Sequence, residues 1–542
     1  MTVPKRIFKV NGKPFFPLGG QSSTSSAYSS SEIEPAFQAV KLLHGNTLLT
    51  DVYWEHIEPE EGKFDFTSVD DLLAGARRHG LKLILLWFAT WKNATMDYAP
   101  DWVKTNPDRF KRVISPTGKD LWTLSPFCQA NLEADKKAFV ALCKYLKKKD
   151  SAEQTVIALQ VENEAGIFGS NRDYGPVAQA IFDSPVPAKL MTALKKAGKG
   201  TVYDLWQQAG GKTTGNWTDV FGWQAGEFVS AWAVARYIDS VAEAGQAVYD
   251  IPMYMNVWLM EVRRGDSRWM LPGESYPSGG GVTKVLDITK WFTPHLALIA
   301  PDIKFYNLRA FEAVCAAYSR ADNPFFLPET PPAPSLFRAI ADYNLLGYHR
   351  MYLLESIVGE DGSVRPGSQV GVDTIRCVAS AIPLILKYQG TDRIYAVVQE
   401  DDIDAQRFDM EGYLAVASFA TGHAPHIPMD YRHDTPEEAK QGLLGQDRGR
   451  GLIIQASRNE FYLVGSNYRL FLRPKLSPEK MLDATFVAEG WLTKLSHQLR
   501  VDEGHFDEND KFVVDRRRNG DTISMGIWVA PDVGVVRVLM CD

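Results

Sequence analysis

The chain has 542 residues, 45% of them hydrophobic, and a formal net charge of −7. That length exceeds one ordinary domain and supplies ample core, while so mild a charge with no long basic run argues against a nucleic-acid partner. No stretch offers the ~18 or more apolar residues of a membrane span, and the opening "MTVPKRIFKVNGKPFFPLGG" lacks an unbroken apolar signal core, so a cytoplasmic protein with no membrane partner is expected. Cys128, Cys143, Cys315, Cys377 and Cys541 are scattered and odd in number. They suggest neither a disulfide framework nor a Cys-x-x-Cys metal site, and read as reduced core thiols. Asn93 and Asn216 open glycosylation triplets, which matter only in an exported protein.

From residue 14 to residue 355, β-rich apolar runs alternate with amphipathic helical stretches. In chain order the runs are "FFPLGGQ" (15–21), "NTLLTDVYW" (46–54), "LKLILLWFATW" (81–91), "TVIALQVENE" (155–164), "IPMYMNVWL" (251–259), "LALIAPDI" (296–303), "PFFLPE" (324–329) and "GYHRMYLL" (347–354). Between them lie helical patterns such as "SEIEPAFQAVKLLH", with a serine at its start, and "SVDDLLAGARRHG", which stops on glycine. Eight such units predict an α/β fold, a (β/α)8 TIM barrel over residues 1–385 with a long insertion at about 170–250. Beyond about residue 390 the texture changes to short alternating strands such as "RIYAVVQE", "GLIIQAS" and "VGVVRVLMC". They predict a C-terminal antiparallel β-sandwich domain over 386–542.

Functional side chains of a barrel collect at the C-terminal ends of its strands. The fourth run ends in Glu162-Asn163-Glu164 and the seventh, "NPFFLPETPP", in Glu329. Acids have no cheap place inside a buried strand, so they belong at its end, facing a cleft. Strands four and seven face each other across the barrel mouth. Two facing carboxylates are what glycoside hydrolysis requires, one protonating the leaving oxygen and the other attacking the sugar carbon or activating water. A single strand-end glutamate is more often a solvated or ion-paired residue; two at opposed ends weigh against that.

The "QVENE" run, together with "GNTLLTDVYWEHIEPEEGKFDF" at the second strand, resembles glycoside hydrolase family 35, the β-galactosidase family of a clan whose acid/base glutamate follows an asparagine on strand four. "WKNATMDYAPDWVK", "RDYG" and "RRRNGD" are similar to a branch of that family with an uncharacterised C-terminal β-domain. The resemblance implies that Glu164 is the acid/base, Glu329 the nucleophile and Asn163 the group that binds the sugar 2-hydroxyl. It also implies a retaining, exo-acting mechanism with the two carboxyl groups ~5–5.5 Å apart. Glu162, two residues from Glu164 on an extended strand, shares a face with it and is a further candidate for binding a hydroxyl or tuning the acid.

Other strand-end residues are candidates for holding the sugar: Trp91, Lys92 and Asn93 after strand three, Asn256 and Trp258 on strand five, and Tyr306 after strand six. Each has a packing alternative. Many family 35 members carry a glutamate just before the tryptophan after strand three, where this chain has Thr90, which weakens the inference to galactose. The expected activity is therefore a β-galactosidase, with a β-glucoside hydrolase or a transglycosylase of the same fold as alternatives and a non-catalytic carbohydrate-binding protein behind them. A metal-dependent hydrolase is disfavoured, because His44, His56 and His349 show no His-x-His or His-x-x-x-His spacing. The substrate is a small carbohydrate; neither metal nor organic cofactor is implied, and a homo-oligomer is compatible with the sequence.

Overall fold

A computed structural model describes residues 6–261, 270–305, 307–351, 354–400, 405–419, 448–475, 498–524 and 526–541. Its largest parallel sheet holds all eight expected runs: β1 (Leu18–Gln21), β2 (Thr47–Tyr53), β3 (Lys82–Lys92), β4 (Val156–Asn163), β5 (Met253–Trp258), β6 (Leu298–Asp302), β7 (Leu327–Thr330) and β8 (Tyr348–Arg350). The ladder runs β6-β5-β4-β3-β2-β1-β8-β7, so only β6 and β7 lack a hydrogen-bonded edge between them and the barrel is nearly closed. Helices cover its outside: α1 (Ser30–Leu42), α2 (Thr67–His79), α3 (Gln129–Asp150), α4 (Ala225–Gln246), α5 (Leu286–Phe292), α6 (Leu308–Tyr318), α7 (Ser335–Tyr343) and α8 (Gln369–Ser380). One helix follows each strand, the handed crossover that parallel pairing demands.

Local sequence explains several boundaries. Gly80 ends α2 with φ +67, a left-handed cap that a Cβ would strain. Asn216, the first residue of a glycosylation triplet, caps the short helix Trp217–Phe221 reciprocally with Asp219. The insertion between β4 and β5 forms four short helices before α4, and those at Ala188–Ala197 and Thr201–Gln208 pack on α5. Among the cysteines, Cys143, Cys315 and Cys377 are buried thiols, Cys128 is half-buried and Cys541 is exposed.

The C-terminal part is the expected antiparallel β-structure. Its strands are β9 (Ile394–Val398), β10 (Ala405–Met410), β11 (Tyr413–Ser418), β12 (Arg450–Ser457), β13 (Glu460–Ser466), β14 (Tyr468–Pro474), β15 (Gln498–Phe506), β16 (Phe512–Arg518), β17 (Ile527–Val529) and β18 (Val535–Met540). They form a sheet ordered β9-β12-β13-β18-β15-β16 and a second ordered β10-β11-β14-β17. Side-chain alternation serves both faces of the first sheet. Ile394, Ala396, Leu452, Ile454 and Val464 join the barrel's core, whereas Val397, Ile453, Phe461 and Leu463 face the second sheet. The expected boundary at 385/386 falls inside the helix Ile382–Tyr388, one residue beyond α8. Among the described residues, no single helix is long and apolar enough to cross a membrane.

Because Ile454 is fully buried where sheet and barrel meet, Ile454→Ala is expected to cost about 2–5 kcal/mol of stability through lost transfer energy and a residual cavity. Urea unfolding monitored by circular dichroism measures it, and a loss within about 0.5 kcal/mol, the usual range for surface changes, is the contrary result.

Candidate active site

At the C-terminal mouth of the barrel, Glu164 and Glu329 are 3% and 4% exposed and share one cation. The Lys304 Nζ lies 3.0 Å from Glu164 Oε1 and 2.8 Å from Glu329 Oε2. Glu164, Glu329 and Asp302 each bring one oxygen within 4.8 Å of the other two. Strand order therefore closes the long sequence gap between Glu164 and Glu329, as expected. Burial pushes the Glu329 carboxyl up, but Lys304 and Lys92, with hydrogen bonds from Lys304 and Gln21, outweigh it and hold the group below its ordinary value. This is the state a nucleophile needs. Among the described residues, the same three acids are the group spaced to hold a metal ion. The Lys304 ammonium already supplies the positive charge between two of them.

The backbone around Glu164 departs from a regular strand. From Trp87↔Val161 to Lys92↔Asn163, five steps along β3 oppose two along β4, a bulge of the kind that re-aims side chains beside active sites. Glu162 and Glu164 have φ of +63 and +45, and Asn93 and Ala94 are also left-handed. Such conformations cost about 1–3 kcal/mol each and persist where the surroundings over-determine them. Asn256 is part of that enforcement: its Oδ1 accepts the Glu164 N–H at 2.8 Å, and its Nδ2 donates to Asp302 Oδ2 at 2.8 Å. Both ends of Asn256 are thus engaged with protein groups, and it holds the Glu164 backbone.

The left-handed turn at Glu162 also breaks the alternation that placed it beside Glu164. Its carboxylate instead accepts the Trp91 N–H at 2.7 Å and meets Asp135 of α3. Trp87, Thr90 and Tyr237 bond that same Asp135. Burial first, then the Asp135 charge, holds Glu162 well above the ordinary carboxylate range, so this pair keeps a proton inside the layer between barrel and helices. Trp91 lies there as well. It is fully buried, edge-on to Tyr237 with ring centroids 4.8 Å apart, so it packs the barrel wall and offers no face to a sugar. Thr90 points into the same network.

The four remaining expected contacts, Asn163, Lys92, Asn93 and Trp258, lie at the C-terminal ends of their strands. Asn163 is fully buried, its Oδ1 accepts from Lys92 Nζ at 3.0 Å, and its Nδ2 has no protein partner. A buried amide donor of this kind is costly unless something bonds it. Lys92 also donates to Asn93 Oδ1 at 2.8 Å, and Asn93 itself is exposed. Trp258, half-buried at the end of β5, lies 5.4 Å from the Phe168 ring at 47°. Tyr306 lies outside the described residues.

Four residues at the mouth were not singled out from the sequence: Gln21, Asp51, Asp302 and Lys304. Gln21 ends β1 and bonds Glu329. Asp51, on β2, is 1% exposed; burial, opposed by Lys92 and the Tyr53 hydroxyl, pushes it up to about 8. Tyr53 donates to it at 3.2 Å and stacks between Tyr28 and Tyr98, at centroid distances of 4.3 and 4.9 Å. Burial first, then the Glu329 charge, holds Asp302 well above the ordinary range, against the pull of Lys304. The signal that found Glu164, a polar side chain closing an apolar run, also marks "LGGQ" and "LIAPD".

With this geometry in view, comparison with known proteins is informative. Residues 28–219 match the family model Glyco_hydro_42, described as beta-galactosidase, and residues 375–530 match DUF5597, a domain of unknown function. The first segment contains β2 to β4 and Glu164, and is similar to glycoside-hydrolase sequence of the β-galactosidase type. Family 35, expected from the motifs, is not confirmed: the family model that matches is that of family 42. The curated beta-galactosidase-1-like protein 3 of Rattus norvegicus is 32% identical over 160 residues, 28% of this chain and 23% of that protein. The match spans less than a quarter of that relative's length. Among solved structures, a catalytic mutant of Gan42B, a GH42 β-galactosidase from G. stearothermophilus, is similar at 16% identity and a TM-score of 0.47, over 70% of this chain and 58% of that one. The catalytic domain of a β-amylase from Paenibacillus polymyxa also scores 0.47, at 13% identity, over 66% of this chain and 96% of that one.

Replacing Lys304 with methionine strands two buried carboxylates and is expected to destabilise the fold by about 3–5 kcal/mol at pH 7. Glu329 is depressed in the folded state, so its share of the stabilisation is present above its unfolded value of 4.5 and is lost as pH falls through the folded one. The gap between wild type and Lys304→Met should therefore narrow below about pH 4.5 in urea unfolding across pH. A gap that stays constant or widens on acidification contradicts the ion-pair assignment.

Proposed function

We propose that the chain is a retaining, exo-acting β-glycosidase in which Glu164 is the acid/base and Glu329 the nucleophile, with terminal β-galactosides as the preferred substrates. The observation that carries the reading is the approach of the two carboxylates within 4.8 Å. Retaining enzymes hold their carboxyl groups about 5–5.5 Å apart, whereas inverting ones need about 6.5–9.5 Å to admit a water between them. The ionised Glu329 attacks the anomeric carbon as Glu164 gives a proton to the leaving oxygen. Water, deprotonated by Glu164, then releases the sugar from Glu329. Asn163, with its free amide donor, binds the 2-hydroxyl.

Galactose is supported by the family-42 match and by the curated relative's name, and the second-strand and "QVENE" motifs support family 35 within the same clan. A β-glucoside hydrolase or a transglycosylase is the second reading. It is favoured by Thr90, whose hydroxyl bonds Asp135 and Tyr237 and leaves no carboxylate at that position to read a sugar.

The test is hydrolysis of aryl β-galactosides and β-glucosides by wild type, Glu164→Gln and Glu329→Gln, with proton NMR of the first-formed anomer. Glu329→Gln is expected to abolish turnover, and Glu164→Gln to cost about 10²–10⁴-fold on poor leaving groups, the usual worth of a general acid. The first product should be the β-anomer. An α-anomer, or full rate in Glu329→Gln, overturns the assignment.

A further inference from the structure

Three carboxyls meet around one lysine at the barrel mouth, and their surroundings are unequal. Lys304 is ion-paired with Glu164 and Glu329. Asp302, 1% exposed, accepts from the Asn256 amide, and one of its oxygens lies within 4.8 Å of a Glu164 oxygen. Buried carboxyl groups this close repel one another when all are ionised, and a proton on Asp302 relieves that repulsion. The groups that face Asp302 come from every element around it: Glu164 from β4, Asn256 and Tyr254 from β5, Lys304 just beyond β6, Glu329 from β7 and Tyr318 from α6. Lys304, two residues away, is the cation among them, and its ammonium lies on the two glutamates.

We propose that Asp302 stores the proton that Glu164 delivers to the leaving oxygen. The inference rests on the reading of Glu164 as the general acid. As the substrate's leaving oxygen reaches Glu164, the proton passes from Asp302 to the facing Glu164 oxygen and on to the leaving oxygen. The bond between anomeric carbon and leaving oxygen breaks with its electron pair on the departing alcohol, and Glu329 forms its ester to the sugar. In the second half, water loses a proton to Glu164 as its oxygen attacks the anomeric carbon. The ester's electron pair returns to Glu329, and the proton goes back to Asp302. Charge and protons balance over the cycle, with water as the co-reactant. The arrangement explains how an acid/base can be ion-paired to lysine at rest and still protonate a leaving group. The upward push of burial and of Glu329 on Asp302 agrees with it.

Asp302 touches no reacting atom and so is a positioning and proton-supplying residue. The test is Asp302→Asn, which keeps the size, measured with aryl β-galactosides, and β-glucosides, of good and poor leaving groups. With a phenyl glycoside kcat/KM is expected to fall at least about 100-fold, with a 2,4-dinitrophenyl glycoside less than about 3-fold, since an activated leaving group needs little general acid. The alkaline limb of the pH profile should move to lower pH. An equal fall with both leaving groups, or an unmoved pH profile, shows a merely structural residue and overturns the proposal. Asp302→Ser gives the same readout should the asparagine variant not fold. Glu164→Gln in the same series separates the two claims: if it spares the phenyl glycoside, or if wild type cleaves neither sugar, the acid assignment fails and the proton store with it.

Discussion

Carboxylates removed from water repel one another and lose hydration, and a protein can hold two of them in contact only by supplying positive charge or a proton. At this barrel mouth it does both. The Lys304 ammonium lies 3.0 and 2.8 Å from the two glutamates, and in our proposal Asp302, held well above the ordinary carboxylate range by burial and the Glu329 charge, carries the proton beside Glu164. The proposed double displacement requires Glu164 and Glu329 to lie close together, and the Lys304 ammonium offsets their repulsion in the folded resting state.

The rest of the fold keeps that cluster in register. Strand ends from all around a nearly closed barrel deliver Gln21, Asp51, Lys92, Glu164, Asp302 and Glu329 to one mouth. The β3 bulge and the left-handed residues at 162 and 164 turn alternate side chains of β4 in different directions. One glutamate enters the cleft while the other locks the barrel to α3 through Asp135. Asn256 ties the backbone of Glu164 to the side chain of Asp302. Farther out, the six-stranded sheet gives one face to the barrel core and the other to the second sheet. The C-terminal domain thus braces the barrel and covers part of its outer surface.

The eight barrel strands were legible because burial on both faces leaves long apolar runs that polar side chains terminate abruptly. The same contrast exposed Glu164 and Glu329. Asp302 and Lys304 carried the signal too, in "APDIK", but the roles of a buried acid and its counter-cation depend on what other strands bring, which no local pattern contains. Glu162 and Trp91 were misplaced for a definite reason. Period-two alternation holds only while the backbone stays extended, and the bulge with its left-handed residues sends both into the layer behind the barrel. Asn256 was located correctly at the mouth, yet its two hydrogen bonds to protein groups follow from the approach of β4 and β6, not from its own neighbours in sequence. In the C-terminal domain, strands such as Ala405–Met410 and Gln498–Phe506 went unread because they are rich in polar residues and pair through backbone ladders.

The central claim is that Glu329 forms the covalent bond to the sugar beside an ion-paired Glu164. Its most direct test is to incubate the protein with activated 2-deoxy-2-fluoro β-galactoside, β-glucoside and β-mannoside, digest it, and locate the added mass by tandem mass spectrometry. The account predicts that one of these sugars is carried on Glu329 and on no other residue. A label on Asp302, Asp51 or Glu164, or turnover of matched substrates with no labelling by any of the three, would contradict it.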